Sequence, residues 1–353
     1  MFKLENLVRE NIKTMRPYSS ARKEFSGLAE IFLDANENSF GSPLPENYNR
    51  YPDPLQSEIK RKVAELNGVQ PSEIFVGNGS DEAIDLLFRI FCRPQIDNIV
   101  ICPPTYGMYE VSAAINDVEV RRANLTTDFQ LDFGAVQKVA DENTKRVFIC
   151  SPNNPTGNLM RRETILQIAK NFAGIVVVDE AYIHFSNEKT LVEERSDFAN
   201  LVVLQTFSKA WGLAGLRVGL AFANEQMIKL FNKVKPPYNI SQAAQELILK
   251  ALCNESQISA NIEAIVFERC ALVNSLTELS FVGKIYPSDA NFVLVKTDDA
   301  DEIYKFLLNE KIVVRNRNNV ELCAGCLRIT VGTPEENTVL IGTLKKYEES
   351  IVY

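Results

Sequence analysis

Three stretches of unbroken apolar residues, Ile99-Val-Ile-Cys102, Ile175-Val-Val-Val178 and Leu201-Val-Val-Leu204, constrain this chain more than anything else in it. A strand with one wet face alternates apolar and polar residues. A run without alternation needs apolar cover on both faces, the situation of strands in a parallel sheet with helices packed above and below. Between these runs lie helical periodicities, such as Asp81 to Cys92 with Ile84, Leu87, Phe88 and Phe91 on one face. Further strands are expected at Ile74–Val76, Arg146–Cys150 and Arg217–Phe222, with the apolar runs extending over Asn98–Cys102, Ile175–Asp179 and Leu201–Phe207. The expected fold class is α/β: a large unit around a mainly parallel central sheet.

Lys235-Pro-Pro-Tyr238 interrupts this alternation and reads as a hinge. Beyond it come helices over Gln242–Cys253 and about Ile258–Leu279, strands at Phe292–Lys296, Ile312–Arg315 and Leu327–Val331, and a last helix from Pro334 to Glu349. This is the pattern of a smaller α+β unit. The expected division is residues 1–35 as an N-terminal arm or part of the smaller unit, 36–237 as the large unit and 238–353 as the small one. The arm is expected to pack on the second unit or on a partner subunit.

Composition removes several kinds of function. The net charge is −8, so there is no general electrostatic attraction to nucleic acid or anionic membranes, and an anionic ligand must be held by a few local cations. Residues 1–18 alternate charged and apolar side chains without a continuous apolar core, and no later run has the length of a membrane span; a cytoplasmic location is expected. Seven cysteines are scattered apart from Cys323-Ala-Gly-Cys326, which lacks a second pair, so free thiols are expected and no metal is called for. The single histidine, His184, argues against Ser-His-Asp hydrolysis and His-rich zinc sites. An enzyme with this composition would use lysine, carboxylate or tyrosine, or let a cofactor do the difficult chemistry.

Four segments at strand ends carry the candidate chemistry, and strand carboxyl ends are where open parallel sheets bind ligands. Gly77-Asn-Gly-Ser-Asp81 opens a helix whose free N–H groups can hold a phosphate, although a capped glycine turn looks the same. Ser151-Pro-Asn-Asn-Pro-Thr-Gly157 is a stiff polar turn that presents Asn153 and Asn154. Val176-Val-Val-Asp-Glu-Ala-Tyr182 sets Asp179 at the end of an apolar strand, where a carboxylate is costly without a cation or a helix N-terminus to cap. Thr206-Phe-Ser-Lys-Ala-Trp-Gly-Leu-Ala-Gly-Leu-Arg-Val-Gly219 gathers hydroxyls, a lysine suited to Schiff-base chemistry and an arginine suited to phosphate.

Asn154, Asp179, Tyr182, Lys209 and Arg217, in this order and spacing, resemble the motif set of the fold-type I aminotransferases that use pyridoxal 5′-phosphate (PLP), and the resemblance extends over nearly the whole chain. It implies a large PLP-binding domain with a small C-terminal domain. It also implies that Lys209 holds the cofactor covalently and later moves the substrate proton, with Asp179 on the pyridine nitrogen and Asn154 and Tyr182 on the ring oxygen. Gly79, Ser80, Asp81, Thr206, Ser208 and Arg217 would surround the phosphate, and Tyr106 would stack on the ring.

Leu33-Asp-Ala-Asn-Glu-Asn38, Arg50-Tyr-Pro-Asp-Pro54, Val313-Val-Arg315 and the segment from Leu327 to Asn337 are similar to the histidinol-phosphate aminotransferase branch of that family. This branch exchanges an amino group between L-histidinol phosphate and 2-oxoglutarate, and runs biosynthetically from imidazole-acetol phosphate and L-glutamate. The likeness implies Arg328 as main anion anchor with Arg315 assisting, and Tyr18 and Asn36 in the substrate pocket. It further implies Tyr51 reaching the cofactor phosphate of the other subunit in a homodimer with shared active sites. Two departures stand out: Ser19-Ser-Ala-Arg-Lys23 replaces the usual Pro-Gly turn after Tyr18, and Trp211 stands where phenylalanine is usual. An aromatic or other amino-acid aminotransferase, a phosphothreonine-type decarboxylase of the same fold, and a regulatory module without turnover remain open on these residues alone.

Overall fold

The computed structural model describes residues 2–18 and 31–351. Its larger sheet comprises β1 (Ile74–Asn78), β2 (Asn98–Ile101), β3 (Glu119–Arg122), β4 (Thr144–Cys150), β5 (Ile175–Asp179), β6 (Leu201–Thr206) and β7 (Val218–Phe222). Their spatial order is β1-β7-β6-β5-β4-β2-β3. Neighbours from β6 across to β3 are parallel, and only β7 runs against its neighbours, β1 and β6. β5 is buried at every position and β6 likewise, which is what their unbroken apolar runs demand. One apolar cluster lies on each face, one containing Val76, Val147, Val178 and Val203, the other Phe75, Phe148, Val177 and Val202. Chain order reverses direction across the sheet between β4 and β2, a switch point at which the connections leaving the carboxyl ends diverge and a crevice is expected.

The strand missing from the sequence reading is β3, Glu-Val-Arg-Arg, an edge strand whose side chains are all at least partly wet and so lack an apolar signature. The N-terminal arm also differs from expectation. Leu4, Val8 and Ile12 bury into the same cluster as Phe88, Phe91 and Phe231, and the Arg9 N–H donates to the Ile90 carbonyl at 3.0 Å. Residues 2–15 therefore pack on the large sheet's helices, because their apolar side chains recur at helical spacing and meet an apolar face there. Residues 19–23, where the arm departs from the family pattern, lie outside the described residues.

Beyond the Pro-Pro break, a second antiparallel sheet holds β8 (Val282–Ile285), β9 (Phe292–Thr297), β10 (Arg315–Asn316) and β11 (Cys326–Thr330) in the order β10-β11-β9-β8. Helices Glu255–Thr277, Ala300–Asn309 and Pro334–Ile351 cover it around Leu272, Val293, Ile303, Leu327 and Leu344. β8 escaped sequence reading, and Ile312–Arg315 is a strand only at Arg315–Asn316. Cys323 and Cys326 are both free and buried, and burial pushes the Cys323 thiol up to about 12.

β7 passes so close to the start of the helix Gly79–Phe91 that a Cβ on Gly219 would sit 2.1 Å from the Ser80 nitrogen and 2.4 Å from the Gly79 carbonyl carbon. Backbone on both sides leaves nothing flexible to give way. Gly219→Ala should therefore cost about 3 kcal/mol or more, at or above the upper end of ordinary overpacking, read as a drop in the urea unfolding midpoint. An unchanged midpoint would show that this approach is looser than drawn.

Candidate active site

A cavity of about 710 Å³ opens at the carboxyl ends of the parallel strands and extends to the second sheet. Gly79, Ser80, Asp81, Tyr106, Asn154, Asp179, Tyr182, Thr206, Ser208, Lys209, Arg217, Arg315 and Arg328 all line it. Residues at the carboxyl ends of β1, β2, β4, β5 and β6 and at the start of β7 thus converge, joined by Arg315 and Arg328 from the second sheet.

One end of the cavity is a cationic cradle. Gly79, at a left-handed φ of +72°, begins the helix, and its N–H donates to the Arg217 carbonyl at 2.7 Å. Arg217 is itself left-handed, and its guanidinium lies 3.4 Å from both the Ser208 hydroxyl and the Asp81 carboxylate. A Cβ on Gly79 would come within 2.9 Å of that guanidinium, so glycine keeps the cradle open. The Thr206 hydroxyl accepts the Ser208 N–H at 3.1 Å and shapes the turn that carries Lys209. Trp211 packs edge-on against Phe207 one turn beyond.

The floor is Asp179, fully buried. Burial pushes its carboxyl up to about 6 despite a 2.8 Å hydrogen bond donated by the Tyr109 hydroxyl and another from the Ala181 N–H. A buried carboxylate under such strain is a receptor for a cation. The Lys209 amine stands over the Tyr182 ring at 5.7 Å, and burial, then Arg328, lowers its proton affinity. Asn154 donates to the Tyr182 hydroxyl at 3.4 Å and accepts from Arg328 at 2.5 Å, so one amide links groups from both sheets within the cavity. Asn153, in contrast, turns inward to the Pro104 carbonyl at 2.8 Å and holds the neighbouring loop.

Three expected residues lie apart from this cavity. Tyr18 and Asn36 are exposed, and Tyr51 is half exposed with its ring stacked on Tyr238 at 4.5 Å. Sequence reading also passed over residues that matter. Tyr109 follows Tyr106 by three positions, a spacing that makes helix neighbours, but its partner Asp179 is 70 residues away. Glu180 is fully buried against Thr190, the Leu191 N–H at 2.7 Å and Gln205 at 3.1 Å, and burial pushes it up to about 7. It fastens the chain after β5 to β6 directly beside Asp179. Arg317 is a third cavity arginine from the second sheet.

With this geometry in hand, comparison with known proteins is direct. The chain belongs to the class I and II aminotransferases, matching that family over residues 33–344. Within the family it falls with the histidinol-phosphate aminotransferases. It is 53% identical to the histidinol-phosphate aminotransferase of Parabacteroides distasonis over 342 residues, 97% of this chain and 98% of that one. The fold matches the histidinol-phosphate aminotransferase of Clostridium acetobutylicum with a TM-score of 0.79 at 24% identity, covering 86% and 92% of the two chains. It also matches L-threonine-O-3-phosphate decarboxylase of Porphyromonas gingivalis at 0.73 and 26%, covering 86% and 91%.

The raised Asp179 carboxyl has a consequence for stability. Its folded value of about 6 exceeds the ordinary 3.8, so the folded state holds the proton longer; that stabilisation is complete below about pH 4 and is lost as pH rises through 6. In cofactor-free protein, Asp179→Asn should raise the unfolding free energy measured by urea titration at pH 8 by up to roughly 3 kcal/mol, and have little effect at pH 4. A variant less stable than the parent at pH 8 would refute the burial argument.

Proposed function

We propose that this chain is a PLP-dependent aminotransferase that exchanges the amino group between L-histidinol phosphate and 2-oxoglutarate in histidine biosynthesis. In the biosynthetic direction it takes imidazole-acetol phosphate and L-glutamate. The observation that carries the reading is 53% identity, end to end, to a histidinol-phosphate aminotransferase, in a chain where one cavity joins Lys209 and Asp179 to Arg328 and Arg315. The phosphothreonine decarboxylase likeness, at 26%, is less than half as close and bears mainly on the fold.

The donor set fits PLP. A helix N-terminus with Ser208 and Arg217 suits a dianionic phosphate, and a buried, charge-starved carboxylate suits a pyridinium. When bound, PLP supplies the electron sink that lets an α-proton leave. Ser80 and Asp81 would anchor its phosphate through backbone N–H groups, with Gly79 opening the turn before them and Thr206 shaping the loop behind Ser208. Asp179, positioned by Tyr109, would hold the proton on the ring nitrogen. Tyr182 and Asn154 would hydrogen-bond the ring oxygen, and Tyr106 would cover the ring face. Lys209, with its proton affinity already lowered, would attach the cofactor and then carry the proton between the substrate α-carbon and C4′. Arg328, backed by the Phe292 ring at 5.1 Å, would anchor the substrate anion with Arg315 beside it.

The working form is a cytoplasmic homodimer with shared active sites. Between residues 31 and 55, Ile31, Leu33, Phe40, Leu44, Tyr48, Tyr51 and Leu55 are exposed, a ribbon that a second copy would cover. Tyr51 would then reach the other subunit's cofactor phosphate, and Tyr18 and Asn36 would join the substrate pocket from this same arm region. Among the described residues no helix is long and apolar enough to cross a membrane.

The test is a half-reaction. L-histidinol phosphate and L-glutamate should each rapidly bleach the visible band of the lysine-bound cofactor, and Lys209→Ala should lose both the band and turnover. Release of carbon dioxide from L-phosphothreonine, without bleaching by histidinol phosphate, would overturn the assignment.

A further inference from the structure

The β10–β11 pair carries a charge arrangement that the two expected arginines do not account for. Arg315 and Arg328 stand directly opposite one another across the antiparallel pair. Arg317 directly follows the strand's last residue, Asn316, and its N–H donates to the Cys326 carbonyl at 2.8 Å, which holds it beside β11. All three line the active-site cavity. Like charges so placed repel, and a fold tolerates them when a ligand supplies the counter-charge.

The protein itself does not supply it. The cavity's carboxylates are engaged elsewhere: Asp81 with Arg217, Glu110 and Glu321 with Arg122, and Asp179 with Tyr109. Among the described residues none forms an ion pair with Arg315, Arg317 or Arg328. The Nε atoms of Arg317 and Arg328 are buried and lack hydrogen-bond partners. Burial and then the neighbouring arginines lower the proton affinity of both guanidinium groups.

We infer that Arg317 is the third guanidinium of a substrate-anion subsite and sets its preference for a phosphomonoester over a carboxylate. The inference rests on the aminotransferase reading above. A carboxylate has one charge and two oxygens, which Arg328 and Arg315 can satisfy. A phosphomonoester has up to two charges and three acceptor oxygens, so it alone has a face left for a third fork. Because one pocket must accept both substrates in turn, a residue acting on only one of them tilts the balance without closing the pocket to the other.

The experiment uses the holoenzyme, with Arg317→Gln and Arg317→Lys, and measures half-reaction kcat/KM for L-histidinol phosphate and for L-glutamate. The ratio of the two should fall roughly tenfold or more in Arg317→Gln, the cost of losing hydrogen bonds to a charged group, and mainly through KM. Arg317→Lys should recover part of that ratio, since it keeps the charge and loses the fork. Thermal unfolding without substrate should show Arg317→Gln at least as stable as the parent, because one unpaired like charge is gone. Equal losses for both substrates, or none, would overturn the role of Arg317 and leave the aminotransferase reading standing. A parent enzyme that converts glutamate and not histidinol phosphate would instead overturn that reading, and the inference with it.

Discussion

The burial of the Asp179 carboxyl at the end of β5 is the constraint around which the rest of the site is arranged. The strand that delivers it is apolar from Ile175 to Val178 and enclosed on both faces, so the carboxyl is almost wholly buried at the cavity floor. Tyr109 and the Ala181 N–H ease its charge without neutralising it. Tyr109 in turn is held flat against Phe148 and edge-on to Tyr106, so the aromatic wall on one side of the cavity and the carboxyl at its floor are one packed unit. Glu180 adds a second buried carboxyl, facing Gln205 and Thr190, which ties β5 to β6 just before the turn that bears Lys209. A polar network of this kind is costly unless complete, and it makes the relative positions of Asp179 and Lys209 difficult to perturb.

The two sheets divide the chemistry between them. The large sheet contributes the groups proposed to hold the cofactor, and the smaller unit contributes three arginines to the same cavity, the proposed anion subsite. Their junction combines shared apolar packing with several polar contacts. Asn154 meets Arg328, the Gly157 carbonyl receives the Asp289 N–H, and Glu321 reaches Arg122. The same fold is found in an aminotransferase and in a decarboxylase, so the fold alone does not set the reaction.

Much of this was legible from the chain alone because the informative signals were local. Continuous apolar runs announced β5 and β6, glycine and proline marked the turns, and Lys209, Asp179, Asn154 and Arg217 stood in recognisable spacing. What escaped depended on long-range partners. Tyr109 is a helix residue like any other until Asp179 is placed beside it, and Arg317 looks like an ordinary polar loop residue until β11 sets Arg328 across from the strand it follows. β3 and β8 escaped because half-wet strands carry few apolar residues to betray them. The N-terminal arm was misplaced because amphipathic periodicity reveals that a face is buried and not which surface buries it.

The contact between Arg328 and Asn154 carries an entropic consequence. A free arginine side chain gives up about 2 kcal/mol of rotameric freedom when it is immobilised. Arg328 is already clamped, by the Asn154 oxygen at 2.5 Å and by the Phe292 ring beneath it, before any substrate arrives. The ordering cost has thus been met during folding, by the same burial that built the core. In the proposed role of Arg328, an incoming anion would meet a fork that is already aimed, and more of its interaction energy would remain available as affinity.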